Sequence, residues 1–322
     1  RVPMTLADYT TLQVNFVVPD GVALYIDTIE DLDNVVGDIS VEDETVYAGD
    51  NGVKYLAHSG FLQYAPDNTL KSFEAAGKMG FKSLITIPKF TKATDTEEMV
   101  GVCLHDDEIY KTLRNKDGSS IADKTLKIQD LTYSQLANYD AGIRKGEAFK
   151  SPVPTLEEYF DICMKYKMAP VFSIHPALTV EEWTYVKNLL CQDKYKVGDS
   201  YWLYERLQVK AGDADMLNSA IQVMGFEIGG YIMIQTSSYG WVNLLDVFVS
   251  AKLAEKAQAA GYNVFDKVSV EFFDYSDHAT NTAEDKVRLA KAFGFTRISL
   301  APNGNAEEPG FSSEKQRYFM NL

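Results

Sequence analysis

Three of the chain's four histidines directly follow short apolar runs that read as β-strands. His58 closes Lys54-Tyr55-Leu56-Ala57, His105 closes Val102-Cys103-Leu104, and His175 closes Val171-Phe172-Ser173-Ile174. Imidazole changes charge near neutrality, which makes it the commonest proton carrier in catalysis. A lone histidine at a strand end is more often structural. Two or three at strand ends that converge on one mouth would form a functional cluster. Carboxylates stand beside them. Asp106 and Asp107 follow His105, and the first suits either orienting the imidazole or capping the turn behind it. Lys89 lies past the end of another apolar run and reads as a surface lysine, with supply of a cation to a site as the alternative. His278, in Tyr275-Ser276-Asp277-His278, reads as solvent-exposed.

From residue 53 onward, short apolar runs alternate with amphipathic stretches. Strands are predicted at residues 54–57, 83–87, 101–104, 170–174, 231–235, 267–272 and 297–300. Helices are predicted over 69–79, 155–168, 180–190, 251–260 and 283–293. The helix at 155–168 carries Leu156, Tyr159, Phe160, Cys163 and Tyr166 at helical spacing. Such alternation predicts an α/β fold, an eight-stranded parallel barrel over 53–322 with helices outside. No glycine-rich dinucleotide fingerprint follows the first strand, which weighs against an open doubly wound sheet. Residues 1–52 differ. Strand-like runs at 12–18 and 22–26 flank Pro19-Asp20-Gly21, an acidic stretch follows at 30–44, and Asp50-Asn51-Gly52 marks a turn. This region is expected to be a short β-rich arm or linker. The chain opens on Arg1-Val2-Pro3-Met4, which is not a signal peptide, so a trimmed, processed or fragmentary start is expected.

Composition narrows the function classes. With 31 Lys plus Arg against 46 Asp plus Glu, the formal charge is -15, which repels phosphate backbones and anionic membranes. No nucleic-acid partner is expected. No apolar run reaches the ~20 residues that span a bilayer, so no transmembrane segment is expected. Cys103, Cys163 and Cys191 form no CxxC pair and read as buried free thiols, which say little about compartment.

Motif order adds a family resemblance. His58-Ser59-Gly60 is followed by Ala65-Pro66-Asp67-Asn68-Thr69, by His105-Asp106, and by Val153-Pro154-Thr155-Leu156-Glu157-Glu158. This series resembles the glycerophosphodiester phosphodiesterase family, whose pattern runs His-Arg-Gly, Ala-Pro-Glu-Asn-Thr, a Glu-x-Asp pair on the second strand, His-Asp, and Ile-Pro-Thr-Leu-Glu-Glu. The match is specific from about Tyr55 to His175 and rests afterwards on the strand–helix rhythm. The resemblance implies a TIM barrel, with His58 and His105 as general acid and base in phosphodiester cleavage. The binding neighbourhood is expected to take in Asn68, Asp106 and His175, with Lys89, past the second strand, as a further candidate. In the family, a divalent cation held by the Glu-x-Asp pair and a third-strand Glu screens the phosphate.

The departures from the pattern are concerted. Ser59 stands where the family has its arginine, so a bidentate phosphate clamp is gone. Ile85 and Ile87 fall on the Glu-x-Asp pair, Ser173 on the third-strand Glu, and His175 on the lysine after it. Hard cations need several oxygen ligands, so neither metal nor other cofactor is expected. Asp95, Glu97 and Glu98 lie in a loop that looks inserted and read as solvated. The expectation is a barrel that has lost metal-dependent catalysis and serves as a binding or structural module. Its partner would be a glycan, a glycerol-phosphate polymer, or other subunits of an extracellular assembly in a phage tail, virion or cell envelope. The alternative is an active phosphodiesterase on glycerophosphodiesters or teichoic-acid-like polymers. It would use His58 and His105, with a lysine or arginine supplying the cation's charge.

Overall fold

The computed structural model describes residues 56–62, 64–225, 232–236, 248–272, 288, 290–292, 294–295 and 298–300. The expected arm over 1–52, His278 and most of the helix expected at 283–293 lie outside the described residues. Strand β1 (Leu56–His58) pairs in parallel with β2 (Ser83–Thr86). The chain then makes an antiparallel excursion through β3 (Pro88–Phe90) and β4 (Gly101–Cys103). It returns as β5 (Ala169–Ser173), which joins β2, and β6 (Gln208–Ala211), β7 (Ile232–Thr236), β8 (Val268–Phe272) and β9 (Ile298–Leu300) add in turn. Seven parallel strands in chain order, joined through helices, are the winding of a (β/α) barrel. Two expectations change. Residues 101–103 are not a stave of the barrel but the returning arm of a hairpin, because an apolar run of that length fits either role. β6 was not expected at all.

Period-2 alternation sorts the strands into two faces. Ala57, Leu84, Phe172 and Val209 face outward into one core with helices α1 (Leu70–Lys78), α2 (Leu156–Lys165), α3 (Val180–Leu190) and α4 (Ala214–Met224). Each of these helices is capped from its own sequence. Thr69, Thr155 and Thr179 close capping boxes with the residue three further on, and Asp213 accepts from the Met216 amide. Tyr159 fixes α2 to the wall by donating to the Leu84 carbonyl (2.6 Å) and accepting from the Val171 amide (3.0 Å). Cys103 and Cys163 are buried in this core and Cys191 is partly buried; burial pushes all three thiols up.

The register puts His58 beside Ile85, Ile85 beside Val171, and Lys210 beside Ser173. These residues therefore share the inner face of the sheet. His58 and Ile85 occupy one level. Ile87, Ser173 and Lys210 lie two residues nearer the strands' C-terminal ends. The stretch between β3 and α2 builds its own small core from Val102, Leu104, Ile109, Leu113, Ile128 and Leu131. It is clasped to the loop after β1 by the Arg144–Asp67 ion pair and by Lys145, whose Nζ donates to the Leu62 carbonyl (3.2 Å).

Candidate active site

β1 delivers His58 to the mouth, and the turn after it is tightly specified. Ser59 has φ 60° and Gly60 φ 102°; a Cβ on Gly60 would sit 2.3 Å from Ser72 Oγ, so only glycine fits there. The Ser59 amide donates to the Ile85 carbonyl (3.0 Å), and the Asn68 amide donates to the Ser59 carbonyl (2.9 Å). Asn68 itself corrects an expectation. It is buried, and its Oδ1 accepts from Thr86 Oγ1 (2.8 Å) on the outward face of β2. It is a strut behind the wall rather than a ligand contact.

His105 arrives from the hairpin. Its Nδ1 lies 3.3 Å from Asp106 Oδ1, and Thr112 Oγ1 donates to the other oxygen of Asp106 (2.8 Å). Asp106 thus stands on the Nδ1 side of the ring and leaves its Nε2 side open. Ser59 Oγ lies 3.5 Å from His58 Nδ1. The His58 ring keeps contact with solvent through the mouth, yet protein surrounds most of it. That desolvation, with the charge of Lys210 and then of His105 nearby, lowers its pKa from the ordinary 6.5 to about 4. His58 is therefore neutral at pH 7 and able to accept a proton, and the two imidazoles are near enough to feel one another's charge.

Lys89 is not the surface lysine that was expected. Only 6 % of it is exposed, and its Nζ donates to Asp107 Oδ1 (2.5 Å) and to the His175 carbonyl (2.7 Å). The hairpin turns its side chain under the 91–155 layer, which the sequence gives no means of anticipating. Lys89 ties the loop after His105 to the loop after β5. The His175 ring is exposed, and only its carbonyl is engaged. Lys89→Met is expected to cost roughly 1–3 kcal/mol, since Asp107 and a carbonyl lose a charged donor. A melting temperature equal to wild type would show that the strut carries no stability.

Glu97 accepts from the amide (2.6 Å) and hydroxyl (2.8 Å) of Ser134, so it braces an exposed turn, in keeping with the solvated reading. Sequence reasoning missed Lys210, a lysine only 1 % exposed on the inner face of β6.

Residues 58–295 match the model of the glycerophosphoryl diester phosphodiesterase family. The chain belongs to that family. YhdW of Bacillus subtilis, which carries the glycerophosphodiester phosphodiesterase name, is 33% identical over 103 residues, covering 32% of this chain and 37% of that protein. A glycerophosphodiester phosphodiesterase of Caldanaerobacter subterraneus is 29% identical over 108 residues, covering 33% of this chain and 39% of its own. The chain thus matches well under half the length of either relative. The barrel is also similar to a phosphodiesterase of Oleispira antarctica solved in complex with the product sn-glycerol-3-phosphate (TM-score 0.51, 20% identity, 77% of this chain and 92% of that one). A Silicibacter pomeroyi structure ascribed to the same enzymes gives TM-score 0.53 at 15% identity over 87% of this chain and 97% of that one. At these identities the likeness is one of fold, and it is that of a TIM barrel.

The family implies a divalent ion, and the donors described here do not fit one. Ile85 and Ile87 are buried and offer no oxygen. Among the described residues no group of three or more His, Cys, Asp or Glu could hold a metal ion.

Proposed function

We propose that the chain is a phosphoric diester hydrolase acting on glycerophosphodiesters, with His58 as general base and His105 as general acid. The observation that carries this reading is the convergence of two imidazoles from different elements at one end of the barrel, one of them held neutral. Water attacks phosphorus as His58 takes its proton. The bond from phosphorus to the departing oxygen breaks, and that oxygen takes a proton from protonated His105. A phosphomonoester and an alcohol leave, and solvent restores both imidazoles. Asp106 keeps His105 in the donating orientation.

Family membership and the enzyme names of the relatives support this reading over the silent binding module for a phage tail or cell envelope, for which no observation speaks. The test is release of choline from glycerophosphocholine, with a poly(glycerol phosphate) as second substrate. Turnover by wild type and its loss in His105→Ala are expected, with a partial loss in Asp106→Asn. Absence of turnover on both substrates, with chelator and with calcium or magnesium, would overturn the hydrolase and favour the binding module.

A further inference from the structure

We infer that Asn68 is a positioning residue for His58: clamped by Thr86, it holds the left-handed turn from which the imidazole enters the barrel mouth. The inference rests on the phosphodiesterase reading above, in which His58 is the base, and concerns how that base is kept in place.

The backbone sets the demand. Ser59 (φ 60°) and Asn68 (φ 51°) both stand in the left-handed region, and both are buried. Residues other than glycine are uncommon there, and asparagine tolerates it better than most. Such conformations persist where the surroundings over-determine them. Here a closed ring of contacts does so. The Ser59 amide donates to the Ile85 carbonyl (3.0 Å), which carries the β1–β2 pairing one residue past His58. The Ser59 carbonyl accepts from the Asn68 amide (2.9 Å). The Asn68 side chain then returns to β2, where Thr86, the residue after Ile85, donates from Oγ1 to Asn68 Oδ1 (2.8 Å). On its other side, Asn68 Nδ2 donates to Asp67 Oδ2 (3.3 Å), and the second oxygen of Asp67 pairs with Arg144. A hydroxyl donor at one end and a carboxylate at the other fix which way the amide points. Ser72 Oγ also reaches the Ser59 carbonyl (3.3 Å), but its single proton is nearer the Thr69 carbonyl (2.9 Å), so the Asn68 amide is the main donor. His58 is bonded directly to Ser59, and its Nδ1 lies 3.5 Å from Ser59 Oγ. Any movement of Ser59 therefore moves both the backbone that carries the imidazole and the hydroxyl beside it. A general base has to stay within hydrogen-bond reach of the proton it takes, so this turn sets how well His58 is aimed at the attacking water.

The experiment uses the full chain with Thr86→Val, Asn68→Gly and Asn68→Ala. Valine keeps the branched shape of threonine without its hydroxyl. Glycine keeps the left-handed backbone without the clamp, and it leaves the other neighbours of Thr86 intact. Alanine loses the clamp and strains the backbone as well. Turnover of glycerophosphocholine should fall in kcat by up to about 100-fold in Asn68→Ala, and by less in Thr86→Val and Asn68→Gly. KM should change little, because lost aim weakens the transition state and not substrate binding. In proton NMR of the substrate-free protein, the ring signal assigned to His58 by its absence in His58→Ala should shift or broaden in all three variants, while that of the exposed His175 ring stays unchanged. A role confined to stability would lower the melting temperature and move neither the His58 signal nor kcat measured where each variant is folded. That outcome in Thr86→Val and Asn68→Gly overturns the inference, even if Asn68→Ala fails to fold. Should wild type turn over no diester, the hydrolase reading fails and the NMR comparison decides alone: a displaced His58 signal upholds the placement by Asn68, and an unmoved one removes it.

Discussion

His58→Ala is expected to lower kcat/KM by about 10²–10⁴-fold, the usual worth of a positioned general base, and to erase the acid limb of the pH profile. In the wild-type protein that limb should lie near pH 4, where His58 takes up its proton, and not near the ordinary histidine value of 6.5. The cause is burial first, then the neighbouring charges of Lys210 and His105. The same displacement couples to stability. Between pH 6.5 and 4 the unfolded chain protonates this residue while the folded chain does not, so stability falls as pH drops through that window. Above it the group is neutral in both states and contributes no pH dependence. His58→Ala should therefore soften the loss of melting temperature between pH 6.5 and 4. A wild-type acid limb at pH 6.5 or above, or a His58→Ala enzyme with unaltered kcat/KM, would remove His58 from the role of base.

What the sequence reveals and what it hides divide along physical lines. The placement of His58 at the end of one strand and of His105 just after another was legible because the neighbouring motifs are fixed locally: Gly60 admits no side chain, and Thr69 and Thr155 cap helices that begin at once. The outward face of each stave was legible because it packs on helices and stays apolar. The inner face at the mouth obeys no such rule. In Gln208-Val209-Lys210-Ala211 only alternate residues meet the core, so a four-residue stave with a lysine in it did not read as a strand. Lys89 was misread because its burial depends on the roof formed by residues 91–155, which no local pattern announces. Asn68 was assigned to binding on motif alone, and its amide instead meets Thr86 across the wall.

Replacing Ile85 by Glu and Ile87 by Asp restores the family's carboxylate pair in name, and the barrel is expected to be destabilised by it. Ile85 has no exposed surface and Ile87 only 6 %. Each isoleucine contributes roughly 1.5–3 kcal/mol through burial, and a buried carboxylate adds a desolvation cost of similar size or larger. The pair should lower stability by more than about 4 kcal/mol, the mark of a core disrupted by charge. The sign with pH follows. Burial raises a carboxyl's folded pKa, so the penalty is smallest below the unfolded value, and it grows as pH rises and the unfolded chain ionises. The gap in melting temperature between wild type and the double variant should thus be wider at pH 7 than at pH 4. A carboxylate at residue 85, beside His58 in the strand register, would also disturb the proposed base, so activity should fall with stability. Added calcium or magnesium should rescue neither, because Ser59 and Ser173 still lack the remaining ligand and clamp groups. A double variant as stable as wild type, or one that regains stability on addition of a divalent ion, would show that this face of the barrel still accepts a cation and that its isoleucines are not a dry replacement for one.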